Sequence, residues 1–170
     1  MKSKKNIVLI GMMGSGKSII GKILSKKIKL EFIDIDSKIE ENQTNTISEI
    51  FKNKGEIFFR KIEQEITISF LKLESKVISL GGGGYINPMI RKHCNKNCVT
   101  IWLKWKDGTL IDRIKKSKKR PLAIKMTNLE IKNLLLERTE IYKLSDHQID
   151  CEKLKKNQIV KKIINIYENL

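Results

Sequence analysis

The amino-acid sequence contains few of the residues that mark secreted or membrane proteins. Of its 170 residues only three are cysteine, two are proline and 6% are aromatic. An odd number of cysteines without a disulfide-like spacing indicates a reducing compartment. No uninterrupted apolar run approaches the ~18 residues of a membrane-spanning helix, and the basic N-terminus leads into a short strand instead of a signal-peptide core. We therefore expect a cytoplasmic protein without a membrane partner.

Length and composition are those of one globular domain. A chain of 170 residues is long enough to enclose a full hydrophobic core and too short for two ordinary domains. With 40% hydrophobic and 32% charged residues, the balance is ordinary for a globular chain. We predict a single domain over residues 1–170, and a monomer.

The chain is strongly basic, with a formal net charge of +16. One interpretation is nucleic-acid binding, or a field that steers anionic small molecules to a site. The other interpretation is that the charge reflects a general compositional bias of the chain and no specific function, because Lys, Ile and Asn are abundant throughout. The lysines are dispersed on amphipathic segments and are not interleaved with aromatics, so we favour the second interpretation and expect no nucleic-acid partner.

One glycine-rich stretch, Gly11–Ser18, has the spacing G-x-x-x-x-G-K-S and follows the apolar run Ile7–Ile10. In strand–loop–helix context this pattern is typical of a phosphate-binding loop, or P-loop, whose backbone N–H groups hold the phosphates of ATP or GTP. Lys17 would reach the β- and γ-phosphates and Ser18 would ligate Mg2+. A plain glycine-rich turn is the disfavoured alternative. The predicted nucleotide-binding residues here are Gly14, Ser15, Gly16, Lys17, Ser18 and Ile19.

Two carboxylates, Asp34 and Asp36, follow the predicted strand 30–33. Where a strand gives way to a loop, both can lie near one cleft. One carboxylate can then hold Mg2+ through water while the other accepts a proton from a substrate hydroxyl. The alternative is that Asp36 only caps the helix that begins at Ser37.

A capping box at Thr46–Glu49 predicts a helix that Gly55 interrupts, and a longer helix follows from Glu56. Its apolar spacing predicts a buried stripe. Arg60 is either a surface partner of a nearby Glu or a bidentate partner of a substrate carboxylate. The predicted stripe contains Ile57, Phe58, Ile62, Ile66, Phe70 and Leu73, with Phe59 and Glu63 at or beyond its border.

Four consecutive glycines, Gly81–Gly84, follow the predicted buried strand 77–80. Four glycines cost backbone entropy and contribute no side-chain packing, so a turn that only connects two elements explains them poorly. We predict instead that a ligand approaches the bare backbone of this turn.

The order of predicted elements indicates the fold class. Five short strands alternate with helices, which predicts a three-layer α/β/α fold with a five-stranded parallel sheet. Ligands in such folds bind at the carboxyl ends of the strands. The basic segment at about 115–127, which contains Arg120, is either a solvated loop or a mobile lid that places Arg120 on the phosphates.

Six sequence blocks in this order resemble the shikimate kinases, small P-loop phosphotransferases with the nucleoside-monophosphate-kinase fold. The resemblance covers almost the whole chain and implies transfer of the ATP γ-phosphate to the 3-hydroxyl of shikimate, a step towards chorismate and the aromatic amino acids. The blocks are G-M-M-G-S-G-K-S, F-I-D-I-D-S, I-S-E-I-F with the following F-R-K-I-E, S-L-G-G-G, R-P-L and E-R-T-E-I-Y.

The resemblance also implies roles for individual residues. Asp36, Lys17 and Arg120 would be catalytic, Arg113 would stack on adenine, and Ser18 and Asp34 would hold Mg2+. Helices at about 36–63 would bind shikimate, with Arg60 and Arg138 clamping its carboxylate. The segment around Cys151 departs from the family's adenine-contacting loop. The implied shikimate-binding residues are Asp36, Phe59, Arg60, Glu63, Gly81, Gly82, Gly83 and Arg138.

Two alternative functions stay open at this point. Another small-molecule kinase of the same fold, acting on gluconate or a nucleotide, fits the P-loop, but the two aspartates and the Arg60 and Arg138 pair suit a small polyol that carries a carboxylate. A nucleic-acid-binding P-loop ATPase would account for the net charge of +16.

Overall fold

The computed structural model describes residues 5–117 and 125–169, which form an α/β/α sandwich. Its centre is a five-stranded parallel sheet in the order β2-β3-β1-β4-β5. The predicted fold class is therefore confirmed. The strands are β1 (Asn6–Ile10), β2 (Glu31–Asp34), β3 (Lys76–Ser79), β4 (Cys98–Lys104) and β5 (His147–Asp150).

Helices cover both faces of the sheet. Alternate residues of β1 point to opposite faces, so Val8 and Ile10 belong to one buried cluster while Ile7 and Leu9 belong to a second cluster. The helices are α1 (Lys17–Ile28), α2 (Ile35–Gln43), α3 (Ile47–Leu71), α4 (Pro88–Asn97), α5 (Asp107–Lys116), α6 (Asn128–Tyr142) and α7 (Lys156–Glu168), with a 3-10 turn at Gly84–Ile86.

Local signals set the boundaries of α3 as the sequence predicts. The Thr46 hydroxyl accepts a hydrogen bond from the N–H of Glu49, and the Glu49 carboxylate accepts one from the N–H of Thr46. Gly55 then adopts φ 80° and ψ 174°, which interrupts the helical backbone. The capping box and the break at Gly55 are both confirmed.

The predicted buried stripe of α3 is partly wrong. Ile57 is 90% exposed and Leu73 is 45% exposed. The buried positions instead include the polar residues Glu63 and Thr67 together with Phe59. An apolar pattern cannot locate a helix face that carries a buried carboxylate, and that face of α3 is the one that meets the candidate site.

Two further expectations concern the compartment and the membrane. Cys94, Cys98 and Cys151 are buried free thiols, which agrees with the expectation of no disulfide framework. Within residues 5–117 and 125–169, no helix combines the length and apolar character needed to cross a membrane.

Candidate active site

The predicted P-loop connects β1 to α1. Three of its glycines, Gly11, Gly14 and Gly16, have φ values of 139°, 81° and 87°, a region that L side chains rarely adopt. Gly16 is the N-cap of α1 and has no side chain to cap it. The loop therefore presents backbone N–H groups and the positive end of a helix dipole to one point, which is an arrangement that binds anions.

Lys17 lies inside this loop and is only 6% exposed. Its Nζ donates hydrogen bonds to the carbonyls of Gly11 and Met12, at 2.8 and 3.0 Å. A cavity of about 290 Å3 begins beside Lys17 and Ser18 and extends to Asp36. Lys17 and Asp36 thus line one continuous space.

Ser18 and Asp34 form the candidate magnesium site. The Ser18 Oγ, in the first turn of α1, donates to Asp34 Oδ2, at the carboxyl end of β2, at 2.5 Å. Asp34 Oδ1 accepts from the N–H of Ser37 at 3.4 Å, so Asp34, and not Asp36, is the N-cap of α2. A hydroxyl and a carboxylate are hard oxygen ligands of the kind that Mg2+ prefers, so these residues fit that ion.

The turn after β3 brings two carboxylates against bare backbone. A Cβ atom at Gly81 would lie 2.5 Å from Asp36 Oδ1 and 3.0 Å from Glu63 Oε1. At 2.5 Å an added Cβ atom would force the Asp36 carboxylate to move, and at 3.0 Å the Glu63 carboxylate would have to shift slightly. Gly81 therefore allows Asp36, from α2, and Glu63, from α3, to meet at one place.

The next two glycines, Gly82 and Gly83, lie close to the guanidinium groups of two arginines. A Cβ atom at Gly83 would lie 2.7 Å from Arg60 Nη1, and one at Gly82 would lie 3.4 Å from Arg138 Nη1 and 3.1 Å from the Met13 nitrogen. The turn thus adjoins the P-loop as well as both guanidinium groups. In the structure the groups that approach these glycines are side chains of the protein, so the approach of a ligand to this turn stays a prediction.

Arg60 is held from two sides and remains 35% exposed. Its Nη1 donates to Glu63 Oε2 at 2.7 Å and its Nη2 donates to Glu56 Oε1 at 3.2 Å. The guanidinium also lies 5.2 Å from the centroid of the buried Phe59 ring. The sequence left open a surface partner or a substrate partner for Arg60, and this geometry provides an internal carboxylate partner while leaving part of the guanidinium accessible.

A second cavity, of about 720 Å3, also adjoins the P-loop and shares Gly14, Gly16 and Ile19 with the first. Arg113 lines it and donates from Nη1 to the Gly14 carbonyl at 3.3 Å. Arg113 is half-buried. The other residues that line this cavity are Gly14, Ser15, Gly16, Ile19, Ile20, Trp105, Leu154, Lys155, Lys156, Asn157 and Ile159.

Sequence reasoning missed Trp105 and the segment 154–157 in this cavity. Trp105 directly follows the carboxyl end of β4, and ligands bind at the carboxyl ends of strands in such sheets. Its position in the chain could therefore have predicted that it lies at the site. The segment 154–157 follows Cys151, the stretch where the family resemblance was weakest, and no motif marked it.

Arg120 lies outside the described residues, as does the central part, 118–124, of the predicted lid. The flanks of this segment are described. Ser117 lines the 290 Å3 cavity, and Lys115 Nζ donates to the carbonyl of Met126. The catalytic role of Arg120 and the lid remain predictions.

Comparison with known proteins decides the family. The family model described as shikimate kinase matches residues 13–168. The chain belongs to the shikimate kinase family. A shikimate kinase from Sulfurihydrogenibium sp. is 40% identical over 160 residues, which cover 94% of this chain and 96% of that protein. One from Bartonella quintana is 38% identical over 98% of this chain and 80% of its own length.

Solved shikimate kinase structures share the fold at nearly full length. The enzyme from Aquifex aeolicus superposes with a TM-score of 0.86 at 36% identity, covering 96% of both chains. The Acinetobacter baumannii enzyme, solved in complex with shikimate, has a TM-score of 0.92 at 25% identity and covers 99% of this chain and 95% of its own. A deoxyadenosine kinase from M. mycoides, 19% identical with a TM-score of 0.69, shares the fold alone.

The carboxylate of Glu63 is the most deeply buried charge in this shikimate kinase site, with 2% of its side chain exposed. Burial raises the pKa of Glu63 above its ordinary value of 4.5, the Arg60 guanidinium opposes that increase, and the negative charge of Asp36 adds to it. Glu63 therefore holds a proton more tightly in the folded chain than in the unfolded chain.

We predict that replacing Glu63 changes how stability depends on pH. A carboxyl with a raised folded-state pKa contributes stability that is present below about 4.5 and is lost as the pH rises through the folded-state value. The free energy of unfolding of the wild type, measured relative to Glu63→Gln, should therefore fall as the pH rises from about 4 to about 8. Urea denaturation at a series of pH values measures this difference.

The control is Glu65→Gln, an exposed position on the same helix. The change with pH should be larger for Glu63→Gln than for this control, because only Glu63 of the two is buried. A constant or rising difference for Glu63→Gln would contradict the burial argument.

Proposed function

We propose that the protein transfers the γ-phosphate of ATP to the 3-hydroxyl of shikimate, giving shikimate 3-phosphate and ADP. The observation that carries this proposal is the 290 Å3 cavity that joins Lys17 and Ser18 of the P-loop to Asp36. Arg60 and Arg138 adjoin the glycine turn, which supports the proposal that they bind the carboxylate of shikimate. Family membership supports the same reaction.

ATP would occupy the P-loop with its base in the 720 Å3 cavity. The N–H groups of Gly14–Ser18 would hold the phosphates, and Lys17 would donate to the β- and γ-phosphate oxygens in place of a loop carbonyl. Ile19 and Arg113 would contact the nucleoside, with the Arg113 guanidinium stacked on adenine.

Ser18 and Asp34 are the residues that would hold Mg2+, Ser18 directly and Asp34 through water. Bound there, Mg2+ would neutralise part of the phosphate charge. ATP-dependent kinase chemistry follows from the family, whereas the magnesium ion is part of this proposal.

Shikimate would lie against the glycine turn Gly81–Gly83. Asp36 would bind its hydroxyls and position the attacking one, whose oxygen forms the new bond to the γ-phosphorus while the bond from that phosphorus to the β,γ-bridging oxygen breaks. The proton of the attacking hydroxyl would pass to Asp36. Arg120 would stabilise the charge on the transferring group.

The opposite end of shikimate would be held by its carboxylate. Arg60, from α3, adjoins Gly83 and Arg138, from α6, adjoins Gly82. A guanidinium suits bidentate contact with a carboxylate. Glu63 would fix the orientation of Arg60 through their 2.7 Å hydrogen bond. The buried Phe59 ring would form an apolar wall of the same pocket.

A monomer in the cytoplasm is the assembly and location that we propose with this activity. The buried free thiols and the absence of a spanning helix among the described residues support this placement. The chain would then need only its two small-molecule substrates and Mg2+.

The reaction is tested by following ADP release from the purified protein with ATP and Mg2+. Shikimate, gluconate and AMP are offered separately, and a reaction without acceptor gives the background ATPase rate. We expect turnover with shikimate alone. Of the three acceptors, only shikimate has both ring hydroxyls, which Asp36 would bind, and a carboxylate, which Arg60 and Arg138 would bind. Turnover with gluconate or AMP but not with shikimate would reject the proposed substrate.

The role of Asp36 generates a separate prediction. Asp36→Asn keeps the size of the side chain but removes its charge and its ability to take a proton. We expect kcat to fall at least about a hundredfold, as for loss of a general base, with ADP affinity nearly unchanged because Asp36 lies outside the 720 Å3 cavity. Steady-state kinetics and calorimetric ADP titration measure the two effects.

Glu41→Gln is the matched control on the same helix, because Glu41 is exposed and pairs with Lys38 at the surface. It should leave both quantities unchanged. Near-normal turnover of Asp36→Asn would show that Asp36 neither positions nor deprotonates the hydroxyl.

A further inference from the structure

Trp105 contacts the P-loop from the end of the neighbouring strand β4. It follows β4 and lies 90 positions from Ser15 in sequence, yet its indole Nε1 donates a hydrogen bond to the Ser15 carbonyl at 2.9 Å. Ser15 is 1% exposed and sits in the middle of the anion-binding loop. The hydrogen bond therefore fixes one peptide of that loop relative to the sheet.

The same side chain also supports Arg113. The Arg113 guanidinium carbon lies 3.7 Å from the centroid of the Trp105 ring, which is close cation–π contact. Arg113 Nη1 in turn donates to the Gly14 carbonyl at 3.3 Å. Trp105, Arg113 and the loop peptides at Gly14 and Ser15 thus form one connected unit along the wall of the 720 Å3 cavity.

We propose that Trp105 is a positioning residue for the nucleotide: it holds the Ser15 peptide of the P-loop and orients the Arg113 guanidinium that faces the base. The proposal rests on the part of the proposed function that places a nucleotide in the P-loop, and not on shikimate as the acceptor. A planar guanidinium flanked by an indole on one side can present its other face to an aromatic base.

Two variants separate the two contacts. Trp105→Phe keeps an aromatic ring under Arg113 and removes the N–H donor, and Trp105→Ala removes both. One hydrogen bond of ordinary net strength corresponds to about fivefold in affinity, so we expect ADP to bind Trp105→Phe about three- to tenfold more weakly. Loss of the ring contact as well should weaken binding to Trp105→Ala by about tenfold or more.

The matched control is Tyr167→Phe. It also removes an aromatic donor to a backbone carbonyl, that of Lys5 at 3.3 Å, next to the end of β1 opposite the P-loop. ADP affinity of this variant should stay within about twofold of the wild type.

The affinities are measured by calorimetric titration with ADP and Mg2+ in the absence of any acceptor, so failure of the shikimate assignment would leave this test intact. Where turnover is measurable, KM for ATP should rise in both Trp105 variants while KM for the acceptor stays nearly constant. ADP affinities within twofold of the wild type for both variants, or an equal rise of both KM values, would overturn the proposal.

Tryptophan emission provides a second measurement that does not depend on a variant at position 105. The chain has two tryptophans, so Trp102→Phe leaves Trp105 as the sole emitter. Adding ADP should change its emission, with a midpoint at the calorimetric Kd. Unchanged emission at saturating ADP would count against the proposal even if Trp105→Ala failed to fold.

Discussion

The site depends on a place where the backbone carries no side chains. Immediately after β3, Gly81–Gly83 leaves space that oxygens and nitrogens of Asp36, Glu63, Arg60 and Arg138 fill, and a methyl group at Gly81 would lie 2.5 Å from a carboxylate oxygen. Like charges repel and buried charges need partners, so the two carboxylates can lie this close together only with the two guanidinium groups beside them. Arg60 and Glu63, 2.7 Å apart, meet that requirement.

The order of the strands explains why the parts of the site are close together. β1 lies between β3 and β4, with Leu9 beside Ser79 and Ile10 beside Trp102. The P-loop, the glycine turn and Trp105 follow these three neighbouring strands, so they share the carboxyl edge of the sheet. The 720 Å3 cavity and the 290 Å3 cavity both adjoin the P-loop, an arrangement that suits the phosphoryl transfer between two bound substrates that we propose.

Features encoded within a few neighbouring residues could be predicted from the sequence. The P-loop, the capping box at Thr46 and the break at Gly55 are local patterns, and all three have the expected backbone geometry. Features that depend on distant contacts could not. Ile57 continues an apolar pattern but is exposed, because the buried face of α3 carries Glu63, and the contact of Trp105 with the P-loop exists only because β1 pairs with β4.

The most direct test of this account is calorimetric titration of Gly81→Ala with shikimate and, separately, with ADP. The added methyl group must displace Asp36 or Glu63, so we predict that shikimate affinity falls about tenfold or more while ADP affinity stays within about twofold. Gly108→Ala, on α5 with open space around the new methyl group, is the control and should change neither. Unchanged shikimate affinity in Gly81→Ala would contradict the claim that bare backbone at this turn assembles the site.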